Sequence, residues 1–358
     1  MNVSKLSIRN FRNLESVGIE LNTGLNFFLG ANGSGKTSLL EAVYLLSRGR
    51  SFRTQNIKRL LRLGSDAMTL QVFVPSDEHH VSETISTRYP GKDGRLEQKM
   101  AGRRVERASD LSRVLPVVLL HQDSHLLISA GPKYRRHFLD IGVFHVKPSY
   151  ISVWQYYKRA LHQRNASLRT RPDEAGLWDN ALSSAASQLD GLRREYLAVF
   201  SDQLTQIAKA VLGIDGEVSL SYEQGWADKE QLDETLIRGL DRDRALGYTR
   251  DGPHRADLRF SVEGQPVKDF LSRGQMKLLV YALFFTQATT YREFTSDQAL
   301  ILADDVAAEI DVAGLERVLS VMRGICEQGL ITNQSCPPYE DDNSATLFHV
   351  KHGQVSQH

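Results

Sequence analysis

The segment "FFLGANGSGKTSLLEA" at residues 27–42 contains residue types that bind phosphate. Four of them, Gly30, Gly35, Lys36 and Thr37, fit the pattern G-x-x-x-x-G-K-[ST]. Glycines let the backbone turn its N–H groups toward an anion, and a helix that starts there adds partial positive charge. The lysine reaches the outer phosphates, and the threonine hydroxyl ligates Mg²⁺. The residues predicted to bind a nucleotide here are Gly30, Ala31, Asn32, Gly33, Ser34, Gly35, Lys36, Thr37 and Ser38.

A phosphate-binding loop needs a carboxylate to complete its metal site, and the segment "LILADD" at residues 300–305 supplies one. Four apolar residues in a row suit a buried parallel strand, and Asp304 follows at its carboxyl end. We expect Asp304 and Thr37 to ligate Mg²⁺, and Asp305 to lie near an attacking water. The predicted catalytic residues are therefore Lys36, Asp304 and Asp305.

A third segment, "LSRGQMKLLVYALFF" at residues 271–285, begins a long amphipathic pattern. Ser272 is a favourable helix N-cap, and Gly274 allows a close approach to the backbone. A simple capped helix explains this pattern by itself. The same start can also serve as a second anion site, which would complete the nucleotide pocket of another copy of the chain.

The order of patterns along the chain predicts one α/β core that is interrupted by helices. Strands are predicted over residues 3–11, 24–30, 69–74, 81–87, 114–120, 217–222, 257–262, 299–305 and 346–350, with a turn at 90–95. Helices are predicted over 38–47 and 275–289, and several more between about 134 and 212. The predicted domains are 1–130 and 246–358, which form the core, and 131–245, which is mainly helical.

Composition excludes several classes of protein. The chain has 358 residues, a net charge of +1 and two cysteines, Cys326 and Cys336, in no metal-binding motif. We therefore expect neither a disulfide scaffold nor a zinc site, and we expect the protein to lie in a reducing compartment. His121 and His125 lack further ligands for a metal. No apolar run is long enough to cross a membrane and no secretory signal stands at the start, so we expect a cytoplasmic protein without a membrane partner.

Together, the loop, the "DD" strand and "LSRGQ" resemble the head of an ABC-type ATPase. The chain further resembles the RecF family through "LSIRNFRNL", "GANGSGKTSLLEAVYLLSRGRSFR", "AGPKYRRHFLDIGVFH", "TRDGPHRADL" and "LSRGQMKLL". This resemblance implies an ABC-type head with a helical second lobe, similar to SMC heads. It implies that two heads hold ATP between them, each ATP contacting Ser272, Gly274 and Gln275 of the other copy. Asp311 would then lie at the dimer interface, and Gln122 would sense metal and water.

The chain departs from the usual pattern of such heads at three places. Ala308 stands where a serine is usual, and Thr332 and Asn333 stand where transporter heads have a histidine switch. Asp305 replaces the glutamate of strong hydrolases. Because a shorter carboxylate holds water less closely, we expect slow hydrolysis, below roughly 1 s⁻¹.

The resemblance also implies partners: DNA at a single-strand gap or duplex junction, the proteins RecR and RecO, and a second copy in an ATP-dependent homodimer. Three groups of basic residues could contact DNA phosphates. They are Arg48, Arg50, Arg53, Lys58, Arg59 and Arg62; Arg103, Arg104 and Arg107; and Lys133, Arg135 and Arg136. Solvent-exposed helix faces explain any single one of these residues better than DNA contact does, whereas DNA contact is favoured for the Arg48–Arg62 group as a whole. Arg53 could instead approach the nucleotide.

Three other functions remain open from the residues. A transporter-driving ATPase would dock on a membrane partner, but the interval from Lys36 to Ser272 is too long for that class. A kinase of small metabolites would have no use for "LSRGQ". A purely architectural DNA clamp would bind ATP and scarcely cleave it.

Overall fold

The structure is a computed structural model, and it describes residues 2–75, 82–91, 94–227, 231–334 and 345–357. The chain divides into two compact units, Met1–Ser124 with Tyr281–His358, and His125–Val280. The unit boundaries differ from those of the predicted domains 1–130, 131–245 and 246–358, which stay a prediction. Residues 81, 92 and 93, part of a predicted strand and turn, and Cys336 lie outside the described residues.

The helices and strands follow in chain order. Up to Ser124 they are β1 (Lys5–Phe11), β2 (Leu14–Glu20), β3 (Gly24–Leu29), α1 (Lys36–Arg48), β4 (Met68–Val74), β5 (Glu83–Tyr89), β6 (Glu97–Met100), β7 (Arg103–Arg104), α2 (Ala108–Val114) and β8 (Val117–Leu120). The next are α3 (Leu126–Ser129), α4 (Pro132–Val146), α5 (Tyr150–Thr170), α6 (Asp179–Leu212), β9 (Val218–Glu223), α7 (Leu232–Arg238), α8 (Leu240–Leu246), β10 (Asp257–Val262), β11 (Gln265–Pro266), α9 (Val267–Phe270) and α10 (Arg273–Thr295). The last are β12 (Leu300–Ala303), α11 (Val312–Ile325), β13 (Gln328–Asn333), β14 (Ala345–Lys351) and β15 (Gln354–Gln357).

The first unit contains a mostly parallel sheet in the order β15-β14-β3-β13-β12-β8. All neighbours in it are parallel except β15, which is antiparallel to β14. Every residue of β8, β12 and β13 is buried, as expected for strands covered on both faces. Because parallel strands end at the same edge, the loops after β3, β12 and β13 meet there, where such sheets bind ligands.

An antiparallel sheet in the order β2-β1-β4-β5-β6-β7 completes the first unit. Along β4, buried and exposed residues alternate strictly, so one face is packed and the other is exposed. The helical pattern predicted for α1 is confirmed, because Leu39, Leu40, Val43 and Leu46 are all buried in a core shared with both sheets. This packing fixes where α1 begins, and so where the glycine loop ends.

The second unit is built mainly from α4, α5 and α6, which confirms the helices predicted between 134 and 212. Arg164 of α5 is completely buried and donates to Asp179 at 2.6 Å, to Asp243 at 2.6 Å and to Thr249 at 2.9 Å. Burial raises the pKa of the Asp179 carboxyl, and the Arg164 guanidinium opposes that shift. Removing Arg164 would leave Asp179 and Asp243 without their cation. For a buried ion pair, such a change lowers the free energy of unfolding by about 3–5 kcal/mol.

Two element predictions need correction. The strand predicted over 114–120 is wrong at its start, because Val114 ends α2 and β8 begins only after Pro116. The helix predicted over 275–289 runs on to Thr295. Threonine usually disfavours helix interiors, but here the hydroxyls of Thr286 and Thr289 donate to backbone carbonyls one turn earlier, within the helix itself. The strand β13 and the helix α11 were not predicted.

Candidate nucleotide site

The glycine loop joins the end of β3 to the start of α1, as the sequence predicts. A Cβ atom on Gly30 would lie only 2.2 Å from the carbonyl oxygen of Val350, so a side chain does not fit there. Gly33 and Gly35 have φ angles of 77° and 121°, which favour glycine. The loop therefore has the backbone shape of a phosphate cradle because glycines stand at these positions.

Lys36 is buried at the base of the loop. Its Nζ donates to the carbonyl oxygens of Gly30 at 2.6 Å and Ala31 at 3.0 Å. Burial lowers the pKa of the Lys36 amine, while Asp305 and Asp304 act in the opposite direction. The Lys36 ammonium thus lies between its own loop and two carboxylates. There it can donate to a phosphate oxygen in place of one of the loop carbonyl oxygens.

Hydroxyl groups hold the metal-site aspartate predicted from "LILADD". Oδ1 of Asp304 accepts from the hydroxyl of Thr37 at 2.9 Å and from that of Thr332 at 2.7 Å. The Thr332 hydroxyl also accepts from the backbone N–H of Asp305 at 2.8 Å. The structure therefore brings Thr37, Asp304 and Asp305 together at one sheet edge. Thr332, noted from the sequence only as a departure, links the two aspartates.

These residues line a cavity of about 530 Å³. Its lining comprises Arg12, Asn13, Asn32, Gly33, Gly35, Lys36, Thr37, Ser38, Arg53, Arg59, Leu61, Leu63, Asp304, Asp305 and Thr332. The sequence reasoning missed Arg12 and Asn13, which form the tight turn between β1 and β2. The signal for that turn was "NFRNL", where Asn and Arg stand between two strand patterns.

Asn13 fastens the glycine loop from outside it. Its amide donates to the carbonyl oxygen of Gly33 at 3.1 Å, and its Oδ1 accepts from the hydroxyl of Ser38 at 3.1 Å. Ser38, predicted as a nucleotide-binding residue, is thus engaged with Asn13 in this structure.

The residues present fit a magnesium nucleotide. The hydroxyl of Ser34, inside the loop, is buried and has no hydrogen-bond partner, as expected where a phosphate oxygen is the natural acceptor. Thr37 and Asp304 supply the hard oxygen ligands that Mg²⁺ prefers, with phosphate and water oxygens as the remainder. Within the described ranges no cluster of three or more His, Cys, Asp or Glu side chains could hold a metal by itself.

Gln122 lies at the same edge of the sheet but outside the cavity lining. It begins a 3-10 turn after β8, the neighbour of β12, and the N–H of Asp304 donates to the carbonyl oxygen of Leu120 at 2.8 Å. Its predicted sensing role therefore stays a prediction.

Ser272 and Gln275 form a reciprocal cap at the start of α10. The Ser272 hydroxyl accepts from the N–H of Gln275 at 3.3 Å, and the Gln275 side chain accepts from the N–H of Ser272 at 3.0 Å. The predicted N-cap is confirmed, and Ser272 is exposed. Asp311 is likewise the N-cap of α11, accepting from Gly314 at 2.8 Å. Contacts of Ser272, Gly274 and Gln275 with a nucleotide stay predictions.

Several residues that were predicted to contact DNA make contacts with other residues of the chain. The guanidinium of Arg48 donates to the carbonyl oxygen of Val117 at 3.0 Å, and burial lowers its pKa. Arg62 pairs with Glu15 at 3.0 Å on the surface. The guanidinium of Arg48 therefore faces the start of β8, which disfavours a DNA contact there, and the assignment of Arg48 to DNA stays a prediction.

Two members of the third basic group also make contacts within the protein. Arg135 forms a two-pronged ion pair with Asp257, at 2.7 and 3.0 Å. Arg136 donates to the carbonyl oxygen of Ala256 at 2.7 Å, and burial lowers its pKa. Arg135 thus holds the first residue of β10 and Arg136 the residue before it, whereas Lys133, Arg103 and Arg104 are exposed.

The fold and the loop together define an ABC-type ATPase head of the SMC class. The family model "RecF/RecN/SMC N terminal domain" matches residues 2–350. The chain belongs to the RecF family. It is 38% identical over 362 residues to the "DNA replication and repair protein RecF" of Aliivibrio salmonicida (strain LFI1238), with the whole length of both chains covered. It is 36% identical over 365 residues to the protein of the same name from Vibrio cholerae serotype O1 (strain ATCC 39315 / El Tor Inaba N16961), again over both whole chains.

Solved structures show the same fold. The "recombination mediator protein RecF-ATP in RecFOR pathway" matches with a TM-score of 0.86 and 24% identity, covering 99% of this chain and 97% of that one. The "SmcHead bound to the C-winged helix domain of ScpA" matches with a TM-score of 0.64 and 16% identity, covering 100% and 97%. Across the described residues, no helix is both long and apolar enough to span a membrane.

Proposed function

We propose that this chain is an ATP-dependent, DNA-binding recombination mediator with weak, DNA-stimulated ATPase activity. One observation carries the proposal: at the edge of a parallel sheet, Asp304 accepts from Thr37 and Thr332 beside Lys36, an arrangement suited to binding a metal ion and phosphate. Membership of the RecF family and the curated relatives named for replication and repair support the DNA role.

In this proposal, ATP lies on the glycine loop with its outer phosphates at Lys36. Thr37 and Asp304 hold Mg²⁺, which neutralises phosphate charge when bound. Asp305 lies beside the cavity and orients the attacking water. Thr332 keeps both aspartates in place through its two hydrogen bonds. Asp305 has a left-handed φ of 53°, so its short carboxylate is held by a constrained backbone, and we expect slow turnover.

ATP acts as a bridge between two copies of the chain. The exposed start of α10, with Ser272 and Gly274, offers N–H groups and a hydroxyl to the γ-phosphate held by the other copy. A ligand that prefers the closed dimer shifts the population toward it, and hydrolysis releases the bridge. The dimer binds DNA at a gap or duplex junction and acts with RecO and RecR to promote RecA loading. We place this activity in the cytoplasm.

The test is sedimentation velocity with and without a non-hydrolysable ATP analogue and Mg²⁺, followed by a run with gapped duplex DNA. We expect a monomer without nucleotide, a dimer with it, and DNA in the dimer peak. Lys36→Ala should abolish the shift, whereas Lys5→Ala, an exposed lysine of β1, should not. A chain that stays monomeric while binding the analogue would contradict the dimer, and one that does not bind the analogue would contradict the site.

A further inference from the structure

Glu41 of α1 is a fully buried acid close to the phosphate cavity. Its carboxylate accepts from Arg12 twice, at 2.5 and 2.9 Å, from the hydroxyl of Ser51 at 2.5 Å, and from Arg53 at 3.4 Å. Arg12 and Arg53 both line the cavity that contains Lys36. One buried acid therefore holds two cations on the wall of the proposed phosphate site.

The two arginines are held unequally. Arg12 makes a two-pronged ion pair with Glu41 and its side chain is 18% exposed, whereas Arg53 makes one long contact and is 46% exposed. Two guanidinium groups facing one carboxylate leave excess positive charge, which attracts an anion. If Arg53 moved to that anion, the buried carboxylate of Glu41 would still accept hydrogen bonds from Arg12 and Ser51, so it would not be left unpaired.

The same contacts hold the backbone of the basic segment, residues 48–62. The Ser51 hydroxyl, which donates to Glu41, also accepts from the N–H groups of Arg53 at 2.9 Å and Thr54 at 3.1 Å. Arg12 donates in addition to the carbonyl oxygen of Arg59 at 2.9 Å. The conformation of the basic segment is therefore tied to Glu41 near its start and, through Arg12, near its end.

From these contacts we infer that Glu41 is a positioning residue that couples phosphate in the cavity to the basic segment. It keeps Arg12 fixed in the cavity wall and holds Arg53 loosely enough to transfer to an incoming phosphate. In this transfer, the Arg53 guanidinium gives up its contact with Glu41 and makes a charge-assisted hydrogen bond with phosphate. The turn at Ser51 moves with Arg53. This inference rests on the proposed function, since it needs a nucleotide in the cavity.

The test compares Glu41→Gln with the unmodified chain. Binding of a fluorescent, non-hydrolysable ATP analogue should weaken about tenfold, because Arg12 and Arg53 lose their alignment, while kcat stays within about threefold. Hydrogen exchange gives a readout that is independent of turnover. In the unmodified chain the analogue should slow exchange at the amides of Arg53 and Thr54, and in Glu41→Gln that response should disappear.

The control is Glu15→Gln. Glu15 also pairs with an arginine of the basic segment, Arg62, but Glu15 is 63% exposed and Arg62, unlike Arg12 and Arg53, does not line the cavity. Glu15→Gln should leave both analogue binding and the hydrogen-exchange response within about twofold of the unmodified chain. In a double-mutant cycle, Glu41→Gln and Arg53→Gln should not be additive, because Arg53 acts through Glu41. If Glu41→Gln does not fold, Ser51→Ala and Arg53→Gln replace it in the cycle.

The outcomes separate the two proposals. Analogue binding within twofold of the unmodified chain, additive losses, or an equal loss in Glu15→Gln would overturn the role of Glu41. An unmodified chain that does not bind the analogue would overturn the proposed function itself.

Discussion

Thr332 shows how one hydroxyl can organise a site that lacks a more familiar side chain. It is completely buried at the second-last position of β13, donates to Asp304 and accepts from the N–H of Asp305. Through these two hydrogen bonds, Thr332 fixes both the carboxylate of Asp304, proposed to bind the metal, and the backbone of Asp305. The residue is therefore a positioning group at the end of a core strand.

Replacing Thr332 by valine should slow hydrolysis about tenfold with little change in nucleotide affinity. Valine keeps the shape but leaves the N–H of Asp305 without its acceptor, which costs about 1–3 kcal/mol. Single-turnover hydrolysis and analogue binding would measure the two effects separately. Thr332→Ser, which keeps the hydroxyl, is the matched control and should hydrolyse nearly as fast as the unmodified chain; equal rates in all three proteins would contradict the assigned role.

At the scale of elements, the sequence predicted those segments whose pattern is local. The run "GLNFFL", the glycine loop and the apolar spacing of α1 lie within 25 residues of chain, so β3, the loop and α1 were all predicted. The "DD" strand was found because four apolar residues precede Asp304. These signals need no knowledge of what packs against them.

Contacts between distant segments could not be predicted in the same way. The carboxylate of Glu41 meets Arg12, and Asp304 meets Thr332, only after the sheets have formed. A basic residue in the sequence also does not reveal whether it faces solvent. Arg48 was assigned to DNA from charge alone, whereas the fold turns it toward a carbonyl oxygen at the start of β8.

The turn before β10 is held by a neutral histidine. The hydroxyl of Tyr157 donates to Nδ1 of His254 at 2.6 Å, and Nε2 donates to the carbonyl oxygen of Thr249 at 3.1 Å. Burial lowers the pKa of His254 to about 4, with smaller contributions from Arg255 and Arg136 in the same direction; the Thr249 contact and Asp251 oppose them. Because an unfolded histidine titrates near 6.5, the folded state loses stability as pH falls between about 6.5 and 4.

We therefore expect His254→Gln to be most destabilising at neutral pH. The difference in unfolding free energy between the variant and the unmodified chain should shrink by roughly 3 kcal/mol from pH 7.5 to pH 4, because only the unmodified chain protonates there. Urea unfolding followed by circular dichroism at several pH values measures it. A difference that stays constant across this range would show that His254 is not held neutral.

The basic segment gives a prediction for DNA binding. Arg50 is exposed, whereas Arg48 beside it is engaged internally, so Arg50 is the residue of that pair able to meet a phosphate. If it does, Arg50→Gln should reduce the slope of log affinity against log salt by about one unit. The control is Arg113→Gln, an exposed arginine of α2 outside the three basic groups. Equal slopes in both variants would place DNA elsewhere.

At the scale of the whole molecule, the proposal requires that one nucleotide be shared by two chains. The glycine loop belongs to the first compact unit and Ser272 to the second. If sharing occurs between copies, each site combines Lys36 of one chain with Ser272 of the other. A chain altered at Lys36 and a chain altered at Ser272 can then build one intact site between them, although neither builds one alone.

Mixing Lys36→Ala with Ser272→Arg should therefore restore hydrolysis that neither variant shows by itself. In an equal mixture half of the random encounters bring the two variants together, and each mixed pair has one working site of two, so at most roughly a quarter of the unmodified turnover should return. A protein that carries both changes is the control, because mixing it with either single variant leaves no intact site. Ser272 is exposed at the start of α10, so arginine there removes the hydroxyl proposed to contact the γ-phosphate without disturbing the core. Mixtures that stay as inactive as their components would show that Lys36 and Ser272 do not meet across two chains, and ATP could not then be the bridge that closes the dimer.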